Sequence, residues 1–356
     1  MTLARSLTAI PLAAVPLAGA LLLAAGCADT NAPLPPPQEV LLAVNSTANT
    51  LSIVPVDAPA SAVAVELGGT TPTPVGVSAR GGIAVVPMGL DNAVTVVDLR
   101  SASVLRRVPL PANSGATGSA MVDDSIAYVG NPGINTVSRV NYLTGATSEV
   151  PAGVFPQGIV FTRGKLFVLN GNLVNFTPAG PSWITVIDPV TNALADGIDS
   201  IPLTGEGDAG FGTTSGDGLL YVMSSGSFSS GEGRLSTIDP VGRDELASFS
   251  GFGTGPGNLA SDGEARIYVS SFAEGLMVFD TDSNRVLRGA GQGVPVPSNS
   301  AVAVDSKRRI YAIESGPCSG GQPGIAHVLD ADFTEIRAIP LGECTSGVTV
   351  VQIPPE

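Results

Sequence analysis

Apolar and polar residues alternate in blocks along nearly the whole chain. The stretch RIYVSSFAEGLMVFDTDSNRVL, Arg266–Leu287, shows the unit: an apolar run, a polar turn, a second run closing on Asp280, a second turn and the start of a third run. Short runs rich in β-branched and aromatic residues, bounded by Gly, Ser, Asn and Asp, predict strands joined by tight turns. The run Leu276–Met277–Val278–Phe279 is apolar at successive positions. Strict alternation would leave one face wet; a strand apolar on both faces belongs to a sheet covered on both sides.

The phrase recurs. Aligned on the residue that closes each second run, the copies are TLSIVPVD (Asp57), AVTVVDLRSASVL (Asp98), TVSRVNYLTGATSEV (Asn141), WITVIDPVTNALA (Asp188), RLSTIDPVGRDELA (Asp239), GLMVFDTDSNRVL (Asp280) and IAHVLDADFTEI (Asp330). Their spacings are 41, 43, 47, 51, 41 and 50 residues, the period of propeller blades. Each unit offers four strand candidates, a to d; in the sixth these are NLASDG, RIYVSS, GLMVFD and NRVLRG. The chain opens with b, c and d alone (VLLAVNS, TLSIVPVD, SAVAVELGG) and ends on a lone a strand, GVTVVQI, Gly347–Ile353. The expected fold is therefore all-β: a seven-bladed β-propeller of four-stranded antiparallel blades, its ring closed by pairing the C-terminal strand with the N-terminal blade. A six-bladed ring would need blades longer than most of the spacings.

Composition agrees. The 356 residues include 44 Gly and 29 Pro, and only 13% are charged, which suits many turns and few long helices. The net charge of −14 argues against nucleic acid and anionic membrane surfaces as electrostatic partners.

The first residues read as a targeting segment. MTLARSL carries Arg5, and an apolar stretch follows from Leu7 to Ala25, interrupted by Pro11 and Pro16 and ending LLLAAGC at Cys27. This is a secretory signal rather than a spanning helix. LAAGC resembles the lipobox of bacterial lipoproteins, which implies that residues 1–26 are removed and that Cys27 is lipidated. Residues 27–39 then form a Pro-rich tether, and 40–356 the propeller. The resemblance implies a bacterial envelope protein that meets membrane only through its lipid. Ala28 rather than Asp follows the cysteine, which by the same resemblance favours the outer membrane in a cell that has one. An exported chain sits in an oxidising compartment, so Cys318 and Cys344 are expected to pair.

The repeat itself resembles the bacterial YVTN (YncE-like) family of seven-bladed propellers. The matching phrases are Tyr128-Val129-Gly130-Asn131, Phe167-Val168-Leu169-Asn170 followed by ITVIDPVTNALA, Tyr221-Val222-Met223-Ser224, Tyr268-Val269-Ser270-Ser271, and PQGIVFT at Pro156–Thr162. The complete tetrad never occurs. The resemblance covers nearly everything from Val40 onward and implies a fold; its motif residues are scaffold.

Chemistry is sparse, and no catalytic constellation is found. The long insertions fall in b–c and d–a loops, which share one face: Asn170–Ser182, Ser224–Gly233 and Glu314–Gly324. Insertions of one loop class mark the expected binding face. Phe155, Phe176, Phe211, Phe228, Phe252 and Phe272 lie in or beside these loops, as do Trp183 and Glu274. Glu206 and Asp208 in GEGDAGFG are the weak metal candidates. The a-strand entrances offer Gly76, Ser119, Gln157, Phe211, Asn258 and Asn299, nearly without carboxylates. The lone His327 sits inside a strand-like run, where a packing role is expected. The expectation is a non-enzymatic module, without cofactor, that recognises an envelope or extracellular protein, peptide or glycan. The alternative is a metal-dependent, lactonase-like hydrolase at the central channel, which would need three metal-competent side chains to meet there.

Overall fold

The structure, a computed structural model, describes residues 36–355 apart from 229–230. Cys27 and the signal segment lie outside the described residues. Seven sheets of antiparallel strands form the blades of a propeller. Blade six shows the pattern: strand a is Pro256–Ser261, b is Arg266–Ser271, c is Gly275–Asp280 and d is Arg285–Arg288.

Blade one joins both ends of the chain. Its strand a is Thr345–Ile353, paired antiparallel with strand b, Gln38–Asn45, from Gln38 opposite Ile353 to Asn45 opposite Thr345. Strand b thus begins two residues ahead of the expected boundary at Val40, because Gln38 and Glu39 find partners on the last strand. Asn45 is fully buried at this seam. Its Nδ2 donates to Thr50 Oγ1 and Ser52 Oγ, both at 2.9 Å, while its Oδ1 accepts from the Gly342 N–H and Thr345 Oγ1. Asn131 and Asn170 end strand b of blades three and four and clasp strand c in the same way, through Ser138 and Thr185. The asparagine of the recurring tetrad is thus a buried stitch between strands.

The two-faced c strands pack as their composition requires. Leu276 and Val278 join Val302, Ile310 and Ala312 of blade seven, whereas Met277 and Phe279 join Tyr221 and Met223 of blade five. All four residues of the run are fully buried. Full burial of such side chains stabilises by about 1.5–3 kcal/mol each. The residues that close the phrases are turn formers: Asp98, Asn141, Asp188, Asp239, Asp280 and Asp330 each accept backbone N–H bonds two or three residues ahead. Asp57 differs: it pairs with Lys307 and Arg309 of blade seven.

Two features depart from the repeat. The outer strand of blade four is broken into Ala193–Leu194 and Ser200–Pro202, both paired with strand c, because the intervening residues bulge outward while Ala195 stays buried. The b–c insertion of the same blade forms its own small hairpin, Leu173–Val174 with Thr177–Pro178. A 3-10 turn at Pro59–Ser61 is the one helical element among the described residues.

Candidate functional site

The a strands line a central channel of about 250 Å³, with Gly76, Ser119, Gln157, Phe211 and Asn258 on its wall. Those are five of the six entrance positions located by the repeat. The sixth, Asn299, lies in a second cavity of about 360 Å³ that shares Gln157, Phe211 and Ser346 with the channel. The second cavity opens among the b–c and d–a loops.

Each wall has a local cause. Phe211 sits in strand a of blade five and its ring reaches Gly257 in blade six; Phe228 comes from the b–c loop of blade five and lies against Gly255. Phe272 heads the b–c loop of blade six. All three line the cavity and remain 39%, 55% and 62% exposed. The lining also includes the Cys318–Cys344 disulfide, which ties the b–c loop of blade seven to the turn leading into the closing strand. Among the described residues, Asp208 is the one acidic or basic residue of the lining, which is otherwise made of uncharged polar, small and apolar residues.

Asp208 is buried. Burial pushes its carboxyl above the ordinary value, against a 2.7 Å hydrogen bond donated by Gln157 Nε2 to Oδ1. The turn that carries it rests on the blade-four insertion: the Asp208 N–H donates to the Gly171 carbonyl and the next N–H, Ala209, to Ser182 Oγ. The long loop thus has a structural job, which is to hold one wall residue in place. Asn299 is fully buried, and its side-chain Oδ1 and Nδ2 make no hydrogen bond within the protein.

Other expected residues sit elsewhere. Phe252 does not belong to the loop surface: it is fully buried and packs 6.5 Å from the Phe279 ring, because its loop folds back between blades five and six. Phe155 stacks edge-on against Phe176, 5.7 Å away, and Phe176 is largely exposed outside the cavity lining. Trp183 is half-buried against Gly153. Glu274 braces two loops: its Oε2 accepts the Gly291 N–H at 2.7 Å. Glu206 is exposed and apart from the cavity lining. Among the described residues no three His, Cys, Asp or Glu side chains gather as a metal set. Among the described residues no His, Cys, Asp or Glu lines the central channel.

His327 holds a role that its sequence context does not announce. Nδ1 lies 2.7 Å from Glu335 Oε2 and Nε2 3.0 Å from Glu314 Oε2. Neutral imidazole has one N–H, so both bonds require the charged ring. Burial opposes that charge, but the bonds to Glu314 and Glu335 outweigh it and raise the pKa above its ordinary value. A pKa raised on folding stabilises fully below the unfolded value, and that contribution fades as pH rises through the folded one. Urea midpoints of the native protein should therefore fall between pH 6 and pH 9 by more than those of His327→Gln. Equal falls would show that the clamp contributes nothing.

No family model matches this chain, and no curated protein matches it. Solved structures do. A chain of Kuenenia stuttgartiensis hydrazine synthase superposes with a TM-score of 0.63 at 15% identity, covering 81% of this chain and 98% of that one. A functionally unknown protein from Desulfotomaculum acetoxidans DSM 771 gives 0.64 at 15% identity, covering 89% and 99%. At such identity the likeness extends to the fold alone: this chain is a seven-bladed β-propeller.

Proposed function

We propose that this chain is an exported, lipid-anchored propeller of the YVTN (YncE-like) kind, a non-enzymatic binding module of the bacterial envelope. Its ligand is read at the loop-rich face. The observation that carries the reading is the cavity there, rimmed by Phe211, Phe228 and Phe272. Large apolar side chains left in water around a concave site that also carries a few polar groups are the usual composition of a recognition surface. Strand b of blade one starts at Gln38, on the face opposite these loops.

The test is retention of envelope components on immobilised protein, native against Phe228→Ala/Phe272→Ala. Both rings are more than half exposed, so the variant should melt like the native protein. It should also lose roughly tenfold or more of any specific retention. Equal retention by both, or none by either, would count against the binding face. The anchor is tested separately. Cys27→Ser should abolish labelling by a palmitate analogue and release the protein from membranes; continued labelling would place the lipid elsewhere or remove it from the account.

A further inference from the structure

Asp208 is a buried acid without a cationic partner among the described residues. It is 5% exposed, and its Oδ1 accepts the Gln157 amide at 2.7 Å. Its Oδ2 accepts no bond from the described residues. Nor is it one of the side-chain atoms sealed from solvent without a partner, so it keeps surface open to one. A carboxylate so placed costs free energy unless a positive charge or further donors meet it. Two of the three exposed rings are tied to the segment that carries this acid. Phe211 follows it by three residues. The Asp208 carbonyl accepts the Ser225 N–H at 3.1 Å, three residues before Phe228. Phe272, Val75, Pro256 and the disulfide add further apolar surface to the same lining. No Lys, Arg or His lines the cavity among the described residues. The chain carries a net charge of −14, which draws cations and repels anions.

A bare metal ion does not match this lining. Hard cations take about six oxygen ligands or more, and among the described residues no three His, Cys, Asp or Glu side chains gather. One carboxylate set among carbon serves a cation that presents carbon on most of its own surface. Resting on the binding role proposed above, we infer that the cavity takes an alkylated ammonium, such as a trimethylammonium group, free in solution or at the end of a larger molecule. Its charge meets Asp208. Its methyl groups cover apolar lining, and aromatic rings attract such cations through their faces. A cavity of about 360 Å³ lies at the lower end of small-molecule sites, roughly 300–1,000 Å³, and admits such a group with a short substituent.

The probe is choline, titrated by calorimetry and saturation-transfer NMR against the purified protein at constant ionic strength. The comparison is its carbon isostere, the alcohol in which tert-butyl replaces trimethylammonium. Choline should bind at millimolar concentration or below, and roughly tenfold or more tighter than the isostere. Asp208→Asn keeps a carbonyl oxygen for Gln157 and removes the charge. It should erase the preference for choline without lowering the melting temperature. Phe272→Ala, at an exposed position, should weaken both probes. The comparison of the two probes on the native protein needs no variant, and it decides the matter even where Asp208→Asn fails to fold. Choline binding without binding of phosphatidylcholine vesicles identifies a soluble ligand. Vesicle binding that choline competes away, and that phosphatidylglycerol vesicles do not show, identifies a lipid headgroup.

The inference is overturned if choline does not bind at millimolar concentration, if the isostere binds as well or better, or if folded Asp208→Asn retains the preference. Any of these with retained, Phe228- and Phe272-dependent capture of an envelope component would remove the cation and leave the binding face standing. Failure of both would remove both.

Discussion

Deleting Thr345–Ile353 should abolish the folded state rather than trim one edge. That strand carries every a-strand contact of blade one, from Gln38 opposite Ile353 to Asn45 opposite Thr345. It buries Val348 and Ile353 and supplies Thr345 Oγ1 to the Asn45 clasp. Without it, strand b faces the channel as an open edge. Val40, Leu42 and Val44, which pack with blade two, and Leu41 and Ala43, which pack with blade seven, lose the sheet that positions them. Two buried aliphatic side chains are worth about 3–6 kcal/mol. The ladder and the clasp add to that, against a typical total stability of about 5–15 kcal/mol. The truncated chain should show no cooperative thermal transition and rapid proteolysis. A native-like melting curve would mean that blade one stands without closure.

The second large effect is expected at the axis. A methyl group placed on Gly158 would sit 2.3 Å from the Gly210 carbonyl oxygen and 3.0 Å from Leu169 Cδ1. Strands a of blades four and five approach here backbone to backbone, and the backbone cannot rotate aside as a side chain can. Gly158→Ala should cost about 3 kcal/mol, the upper part of the usual range for overpacking. Gly76 is the control at the same level of the channel: its added methyl would meet its nearest atom, the Thr117 carbonyl oxygen, at 3.5 Å, an ordinary contact. Gly76→Ala should be nearly silent. Comparable losses at both sites in urea titrations would show that the axis tolerates no side chain for reasons other than this contact.

The ring was legible because its causes are local and repeated. A run such as Leu276–Phe279 states by itself that both faces are covered, and seven such runs at blade spacing leave one architecture that closes. The a-strand entrances followed from the same alignment, which is why five of six lie on the channel wall. The site was less legible because its groups belong to distant segments. Gln157 and Asp208 are 51 residues apart. Nothing near Asn299 in the chain says that its amide lacks an internal partner. Phe252 misled for a related reason: a phenylalanine in a glycine-rich loop has the same sequence context whether it points outward or folds back. For Glu274 the backbone N–H that it accepts lies 17 residues on, beyond any motif window. The residues around His327 announce only a strand position, and the opposing positions of Glu314 and Glu335 on strands b and d reveal the charge it carries.

The closing seam also sets when the protein can exist. Gln38 pairs with Ile353, so the first strand made waits for the last. The entropic cost of joining such distant segments falls late, and topologies dominated by long-range pairing fold slowly. A chain still emerging from its ribosome lacks that last strand, so one flank of blade two and one of blade seven stay unmatched. It cannot lock until its final residues are free. For a protein proposed to leave the cytoplasm as an extended thread, that delay keeps the polypeptide threadable up to its own last strand.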